Sequence, residues 1–184
     1  MISKIIAGLI IILLSPIFLI ISLVLIIDDG FPIIFKQKRV GGNNSIFKIY
    51  KFRTMKVETP KNIATHLLNE PKRFNTHLGT YFRKLSIDEL PQLYNILKGD
   101  MNFIGPRPPL PNQKDLINLR RQNNLEYLKP GVTGWAQING RDEISIEKKV
   151  KLERYYSENK SFLLDVKIIF LTFVKVIITK GVSH

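Results

Sequence analysis

The sequence predicts a mainly α-helical protein of the α+β class that carries a small β-hairpin and associates with a membrane. Three observations support this prediction. No charged residue occurs from Ile5 to Ile27, a length that at about 1.5 Å per residue is enough to cross the hydrocarbon core of a bilayer. Two strand-like segments then flank a turn rich in glycine and asparagine, and the C-terminal segment has the period of a helix with a wide apolar face.

The N-terminal apolar segment is compatible with two topologies. A single helix could span the membrane with Ser15-Pro16 as a tolerated kink, because Pro16 has no N–H for the Ile12 carbonyl and the Ser15 hydroxyl could satisfy that acceptor. Alternatively, a re-entrant helix-break-helix dips into the membrane and returns to the same face. Composition alone favours the spanning helix, since kinked spanning helices are ordinary. A signal peptide is disfavoured, because the run is too long for an h-region and no small-residue cleavage site follows.

The charge balance favours anionic partners. The 184 residues include 28 lysines and arginines against 15 aspartates and glutamates, a formal net charge of +13. Only Lys4 among these cations precedes the apolar segment, so the positive-inside tendency places the rest of the chain in the cytoplasm. Anionic lipid, phosphorylated metabolites and nucleic acid all suit this charge; the apolar segment favours lipid, and no recognisable module supports nucleic acid. The absence of cysteine carries no information on disulfides.

Pro32–Val40 and Ser45–Arg53 are predicted to form the hairpin around the turn Gly41-Gly42-Asn43-Asn44. Three cations near the end of the second strand suit a solvated edge that discourages aggregation and a phosphate-binding site about equally. They are Lys48, Lys51 and Arg53. The polar segment Thr59–Pro71 is predicted to be a loop with a short helical piece.

Asp88 and Glu89 are the most distinctive residues in this basic chain. Leu90, Leu93, Tyr94 and Leu97 have helical spacing, and Gly99 suits the helix C-terminus, so the two acids are expected at the positive end of a helix dipole. Ionised carboxylates there suit a nucleophile or a cation ligand. The structural alternatives are a capping box with Ser86 as N-cap, or Asp88 as N-cap with Pro91 at N3.

Two further segments carry candidate anion ligands. Arg73–Leu85 is predicted to be helical and to deliver Arg83 close to Asp88. The run Gly105-Pro106-Arg107-Pro108-Pro109 fixes a guanidinium on a stiff, non-helical backbone, which suits an anion.

The segment Pro130–Arg141 has three glycines and no helical period, so it is predicted to be a loop. A structural turn is favoured over a backbone that approaches a ligand. Arg141 is an anion candidate, and Trp135 suits a core position, a base stack or a membrane interface.

Two helices are predicted in the C-terminal part of the chain. Ser145–Tyr156 forms one, with Glu147 placed to pair with Lys151. Ser161–Lys180 forms the other, and its polar residues share one narrow arc. These residues are Ser161, Asp165, Thr172, Lys175, Thr179 and Lys180, with Lys167 as the exception. The wide apolar face fits a helix in the headgroup plane, and the alternative is a helix packed against a soluble core.

Five motifs in order resemble those of the monotopic phosphoglycosyl transferases of the bacterial sugar transferase family. They cover most of the chain and are Phe47-Lys48-Ile49-Tyr50-Lys51-Phe52-Arg53-Thr54-Met55, Leu85-Ser86-Ile87-Asp88-Glu89-Leu90-Pro91-Gln92-Leu93, Lys98-Gly99-Asp100-Met101, Gly105-Pro106-Arg107-Pro108 and the run from Pro130 to Arg141. Ser15-Pro16 in the apolar segment also fits. The chain departs from the family at its start, Met1-Ile2-Ser3-Lys4, which lacks the usual basic pair and aspartate and leaves Ser3 to cap the helix.

The resemblance implies a re-entrant membrane helix over residues 1–29, broken at Ser15-Pro16, and a catalytic domain over residues 30–184 on the cytoplasmic face of the bacterial inner membrane. It implies transfer of a sugar 1-phosphate from a UDP-sugar to undecaprenyl phosphate with release of UMP, at the start of glycoconjugate assembly. The length resembles the small, single-domain enzymes that act on an N-acetylated bacillosamine-type sugar. The rival hypothesis is a non-catalytic anchor that binds anionic lipid.

For the site, the resemblance implies Asp88 as the nucleophile and Mg²⁺ ligand, with Glu89 assisting it. Mg²⁺ is the implied cofactor, and one carboxylate plus donor phosphates could hold it. The implied substrate-binding residues are Arg107, Arg83, Lys51, Arg53, Gln137, Asn139 and Arg141, with Arg107 the first choice for the phosphate.

Overall fold

The computed structural model describes residues 1–60, 71–140 and 143–178, and over these ranges the chain is mainly helical with two small sheets, which confirms the α+β class. The helices are α1 (Ile2–Leu13), α2 (Ser15–Asp29), α3 (Gly79–Lys84), α4 (Gln92–Lys98), α5 (Lys114–Gln122), α6 (Trp135–Ile138), α7 (Ile146–Glu158) and α8 (Phe162–Ile178). The strands are β1 (Ile34–Val40), β2 (Ile46–Phe52), β3 (Asn102–Ile104) and β4 (Gly131–Thr133). Two compact units are distinguished and are described separately: 1–37 with 48–98, and 38–47 with 99–178.

Helices α1 and α2 meet at Leu14 with a bend of 62°. The Ser15 hydroxyl donates to the Ile12 carbonyl at 2.8 Å, the acceptor that Pro16 leaves without a backbone partner, as the sequence predicts. Among the described residues no single helix has the length and apolar composition to cross a membrane, whereas the bent pair satisfies both measures together. The pair therefore fits a re-entrant segment or a broken span.

Helix α1 packs on α4 in the first unit. Ala7 is fully buried, and a Cβ on Gly8 would lie 3.6 Å from Leu97 Cδ1, so small residues let the two helices approach closely. Lys4 Nζ donates to the Lys98 carbonyl at 3.2 Å, which places a cation at the negative end of α4. The expected Ser3 cap is wrong, because the N-cap position falls on Met1 and makes no side-chain bond.

The acid pair lies before α4 and not in its first turn. Ile87–Glu89 forms a short 3-10 helix, and Ser86 precedes it with a φ of 55° and no side-chain capping bond. The capping-box alternative is therefore wrong. The alternative with Asp88 as the cap of α4 is also wrong, since α4 begins only at Gln92, after Pro91. The left-handed Gly99 at the end of α4 is confirmed by its φ of 93°.

The buried face of α4 differs from the predicted one. Its buried residues are Gln92, Leu93, Asn95 and Ile96, whereas Tyr94 and Leu97 are exposed by 49% and 40%. Two polar side chains thus occupy interior positions that apolar spacing alone does not identify. Asn95 is fully buried.

The hairpin prediction is confirmed with slightly shorter strands, β1 and β2, which form a two-stranded sheet. Asn43 and Asn44 in the turn have φ angles of 53° and 56°, a conformation that asparagine tolerates. The predicted helix Arg73–Leu85 is confirmed only over α3. Ahead of it, Asn75 forms an isolated bridge with Met55. Most of the predicted loop Thr59–Pro71 lies outside the described residues.

In the second unit β3 and β4 pair in parallel, with Asn102 opposite Gly131 and Ile104 opposite Thr133. The prediction that Pro130–Arg141 is a loop is wrong, because the segment contains β4 and α6. Two of its glycines allow close backbone contact within the protein, because a Cβ on Gly131 or on Gly134 would collide with the backbone of Gly105.

The helix predicted over Ser145–Tyr156 is confirmed as α7. Ser145 Oγ accepts from the Lys148 N–H at 3.3 Å, which completes an N-cap. A hydrogen bond from its own backbone N–H, followed by one from Ser145, lowers the pKa of Glu147, and the charge of Lys151 contributes in the same direction.

Two residues of the polar arc of α8, Asp165 and Thr172, are bonded inside the second unit, whereas Ser161 and Lys175 are exposed. The Tyr156 hydroxyl donates to Asp165 Oδ1 at 2.8 Å, and the Thr133 and Thr172 hydroxyls lie 2.7 Å apart. Burial, and then the hydrogen bond to Asp165 and its charge, raise the pKa of Tyr156 well above its ordinary value. Ile168 is fully buried in the core of this unit, with Leu164 and Leu171 packed beside it. A second set of large apolar side chains is exposed, namely Phe162, Leu163, Val166, Ile169, Phe170 and Phe173. Thr179 and Lys180 lie outside the described residues.

We expect Asn95→Ala to lower the free energy of unfolding by about 2 to 4 kcal/mol, because it removes the partly buried hydrogen bonds that Asn95 makes with the Tyr50 N–H and the Lys48 carbonyl of β2. The measurement is thermal unfolding in detergent, followed by circular dichroism at 222 nm. Asn159→Ala is the control, since Asn159 Nδ2 donates to the Tyr155 carbonyl at the exposed end of α7. Equal stability of the two variants would contradict the expectation.

Candidate active site

The acid pair is held by one lysine in the first unit. Lys51 Nζ lies 2.7 Å from Glu89 Oε1 and 3.5 Å from Asp88 Oδ2. The side chains of Lys51, Asp88 and Glu89 are only 17%, 10% and 11% exposed. In such a place two neighbouring carboxylates repel strongly, and the ammonium group offsets that repulsion. The structure thus brings together three of the predicted site residues.

Asn95 sets the position of this lysine relative to the acids. Its Oδ1 accepts from the Tyr50 N–H at 3.0 Å, and its Nδ2 donates to the Lys48 carbonyl at 2.7 Å. Both backbone groups belong to β2, and Tyr50 immediately precedes Lys51. The side chain of α4 therefore pairs with the strand that carries the lysine. Asn95 was not predicted from the sequence, although a polar residue one turn after Pro91 in an apolar helix is a usable signal.

Arg53 has a different environment from the one predicted. It is 7% exposed, and its guanidinium donates to the Asp29 carboxylate, to the Asp29 and Gly30 carbonyls at 2.8 Å each, and to the Pro32 carbonyl at 2.6 Å. These bonds join the end of α2 to the residue that follows β2. They satisfy the carbonyls at a helix C-terminus, and the substrate role of Arg53 stays a prediction.

Arg83 lies half-buried at the end of α3. Its Nη1 donates to Asn75 Oδ1 at 3.3 Å. Asp28 Oδ2 accepts from the Leu78 N–H at 3.2 Å and so satisfies one N–H at the start of that helix.

Arg107 belongs to the second unit and lies on a non-helical backbone, as predicted. The carbonyls of residues 107, 108 and 109 in this loop accept hydrogen bonds from other parts of the unit. Arg120 Nη2 donates to the Arg107 carbonyl at 3.0 Å, and Arg39 Nη1 donates to the Pro108 carbonyl at 2.9 Å. The Val40 N–H donates to the Pro109 carbonyl at 3.0 Å.

Gln137 and Asn139 make bonds within the α6 region. Gln137 Nε2 donates to the Val132 carbonyl at 3.0 Å, and Asn139 Nδ2 donates to the Trp135 carbonyl at 2.7 Å. Gln137 Oε1 is buried and, among the described residues, has no hydrogen-bond partner. Trp135 stacks on Tyr155 with ring centroids 5.6 Å apart and packs against the core around Ile104. Arg141 lies outside the described residues.

The oxygen donors present fit a magnesium ion held partly by a substrate. The carboxylates of Asp88 and Glu89 are hard ligands of the kind that Mg²⁺ prefers. Over residues 1–60, 71–140 and 143–178, no group of three or more histidine, cysteine, aspartate or glutamate side chains could form a metal cage. Phosphate oxygens and water would have to complete the coordination.

A sequence model described as bacterial sugar transferase matches residues 1–179. The chain belongs to the bacterial sugar transferase family and is a transferase.

Three relatives illustrate this membership. The chain is 48% identical over 155 residues to "Uncharacterized sugar transferase EpsL" of Bacillus subtilis, covering 84% of this chain and 75% of that protein. It is 42% identical to "Galactosyl transferase CpsE" of Streptococcus agalactiae, covering 83% and 36%. It is 38% identical to "UDP-glucose:undecaprenyl-phosphate glucose-1-phosphate transferase" of Escherichia coli, covering 96% and 39%. The chain thus spans less than half the length of the last two.

We expect Lys51→Met to lower kcat/KM on the order of 10²-fold, because it removes preorganised positive charge from the site. The measurement is the initial rate of nucleotide release with a UDP-sugar and polyprenyl phosphate. Lys38→Met, at an exposed position on β1, is the control and should match the parent. A Lys51→Met rate within twofold of the control would contradict the assignment of Lys51 to the site.

Proposed function

We propose that this chain transfers a sugar 1-phosphate from a UDP-sugar to undecaprenyl phosphate and releases UMP. The contact of Lys51 with the Asp88–Glu89 pair carries the proposal, because it holds two carboxylates, either of which has the chemistry of a nucleophile, beside a compensating cation at one largely buried point. The names of the relatives support the reaction class, since the E. coli protein is named for UDP-glucose and undecaprenyl phosphate.

The proposed chemistry has two displacement steps. An Asp88 oxygen attacks the sugar-side phosphorus, the bond from that phosphorus to the bridging oxygen breaks, and UMP leaves with that oxygen. A phosphate oxygen of undecaprenyl phosphate then attacks the phosphosugar, displaces the Asp88 carboxylate and forms undecaprenyl-diphosphate-sugar. A covalent intermediate lets a soluble donor and a lipid acceptor use one site in turn.

Positive charge is needed because an anionic nucleophile approaches a diphosphate. We assign the donor phosphate to Arg107 first, with contributions from Lys51, Arg83 and Arg141. Gln137 and Asn139 remain proposed substrate contacts. Lys51 Nζ lies closer to Glu89 than to Asp88. Glu89 therefore assists by holding the ammonium group so that the Asp88 oxygens stay available for the attack. When bound, Mg²⁺ would be held by Asp88 and would neutralise phosphate charge.

The exposed apolar face of α8 supports a location at the membrane surface. Large exposed apolar patches commonly mark membrane or protein contact sites, and six large apolar side chains of α8 are exposed while Asp165 and Thr172 are bonded inside. The 62° bend between α1 and α2 favours the re-entrant form, with the catalytic part on the cytoplasmic face.

Replacement of the nucleophile tests the proposal against a purely lipid-binding anchor. Asp88→Asn keeps the size of the side chain and removes its charge, so UMP release should fall on the order of 10⁴- to 10⁶-fold, while sedimentation with anionic lipid vesicles stays unchanged. Asp115→Asn, at an exposed position in α5, should keep full activity. Normal turnover by Asp88→Asn would refute the assignment.

A donor panel identifies the sugar. UDP-glucose, UDP-galactose, UDP-N-acetylgalactosamine and a UDP-linked N-acetylated bacillosamine are compared by UMP release with polyprenyl phosphate. We expect one donor to exceed the others by about tenfold or more, since unmatched polar groups in a site discriminate strongly. Absence of UMP release with every donor would contradict the proposed reaction.

Labelling of introduced cysteines tests the topology. Ser3→Cys and Glu143→Cys should both react with a membrane-impermeant maleimide only from the cytoplasmic side of oriented vesicles, because a re-entrant segment returns both ends to one face. Periplasmic labelling at position 3 would show that the bent pair spans the membrane.

A further inference from the structure

The buried ion pair between Arg120 on α5 and Glu153 on α7 holds the loop that carries Arg107. We propose that the two are positioning residues for Arg107 and thereby set the affinity for the donor phosphate. This inference rests on the phosphate role proposed above for Arg107.

The pair is bidentate and almost fully buried. Arg120 Nε donates to Glu153 Oε2 at 2.7 Å, and Nη2 donates to Glu153 Oε1 at 2.6 Å. The two residues are 8% and 3% exposed. A third bond runs from Arg120 Nη2 to the Arg107 carbonyl at 3.0 Å. The carboxylate on α7 thus orients a guanidinium that reaches the loop.

The loop depends on donors from outside itself. Of the four residues from Pro106 to Pro109, three are prolines, which have no N–H. The carbonyls of residues 107 to 109 accept instead from Arg120, from Arg39 and from the Val40 N–H. The Arg120 side chain is itself anchored by a buried carboxylate on a separate helix, so its donor group has a fixed position.

A buried ion pair of this kind contributes little net stability to a fold. The cost of removing two charges from water often equals or exceeds their attraction, and apolar residues of similar volume commonly stabilise as well. What apolar residues lack is a donor for the Arg107 carbonyl. A guanidinium with a fixed plane supplies this donor in one orientation, and preorganised binding groups raise affinity by lowering the cost of ordering them.

Glu153→Gln tests the inference with little change of shape. The amide replaces one acceptor oxygen by an N–H₂ group that faces the guanidinium, so Arg120 should shift away from the Arg107 carbonyl. We expect the KM for the most active panel donor to rise about tenfold with kcat changed less than twofold, as when binding common to ground and transition states is lost. The KM for polyprenyl phosphate should be unchanged.

The same helix supplies a matched control. Arg154 and Glu158 form an ion pair on α7 with Nε and Oε1 2.7 Å apart, and both side chains are more than half exposed. Glu158→Gln makes the same chemical change at the surface and should leave both KM values at those of the parent. An equal rise of donor KM in both variants would show a general effect of charge on α7 and would overturn the inference.

A double-mutant cycle with Arg107→Ala identifies the route of the effect. If the pair acts through Arg107, Glu153→Gln should lower kcat/KM for the donor about tenfold in the parent and by less than twofold in Arg107→Ala. The same tenfold loss in both backgrounds would overturn the positioning role. Unchanged donor kinetics in Arg107→Ala alone would instead refute the phosphate role proposed for Arg107.

A second variant keeps the test valid if Glu153→Gln fails to fold. Thermal unfolding is recorded for each protein, and if Glu153→Gln does not fold, Arg120→Lys replaces it in the same cycle. The lysine keeps a charge for Glu153 but lacks the planar fork that holds Glu153 with two nitrogens while one of them also donates to the Arg107 carbonyl. A folded Arg120→Lys variant with the donor KM of the parent would overturn the inference.

Discussion

The contact of one ammonium group with two adjacent carboxylates is the interaction on which the candidate site depends. Asp88 and Glu89 are neighbours in a 3-10 turn, and little water reaches either side chain, so their mutual repulsion requires a nearby cation. Lys51 provides it from a different element, β2. Asn95 then fixes the strand against the helix that follows the acids, since it bonds an N–H and a carbonyl of β2. Charge and backbone pairing together define the geometry.

Helix α8 packs one side against the core of the second unit and leaves a second apolar face exposed. Ile168 is fully buried there, and Asp165 and Thr172 are bonded to the hydroxyls of Tyr156 and Thr133. These two polar groups are therefore satisfied inside the second unit. In the first unit, Lys4 Nζ donates to the Lys98 carbonyl at the end of α4 and so holds the start of the apolar segment.

Local sequence signals predicted much of the fold. The helix break, the hairpin and α7 each follow from residues within a few positions of one another, such as Ser15 donating to Ile12 and Ser145 capping its own helix. Local signals failed where the partner is distant in sequence. Strands β3 and β4 are three residues each and join positions 102 and 131, and α5 was not predicted at all.

The same distinction applies to the candidate site. The acid pair and Lys51 were identified as site residues from charge contrast and motif. Their mutual contact was not predicted, because Lys51 and Glu89 are 38 residues apart in the chain. Asn95 and the Arg120–Glu153 pair were not predicted, because contacts with residues far away in the sequence decide whether a polar side chain is buried. The substrate roles of Gln137 and Arg141 remain predictions.

Mass spectrometry of the enzyme incubated with a UDP-sugar and Mg²⁺, in the absence of any lipid acceptor, tests the proposed nucleophile most directly. The proposed reaction predicts a mass increase of one sugar phosphate on the peptide that contains Asp88, released UMP in matching amount, and loss of the adduct when polyprenyl phosphate is added. An unmodified enzyme that releases nucleotide only when both substrates are present would contradict it.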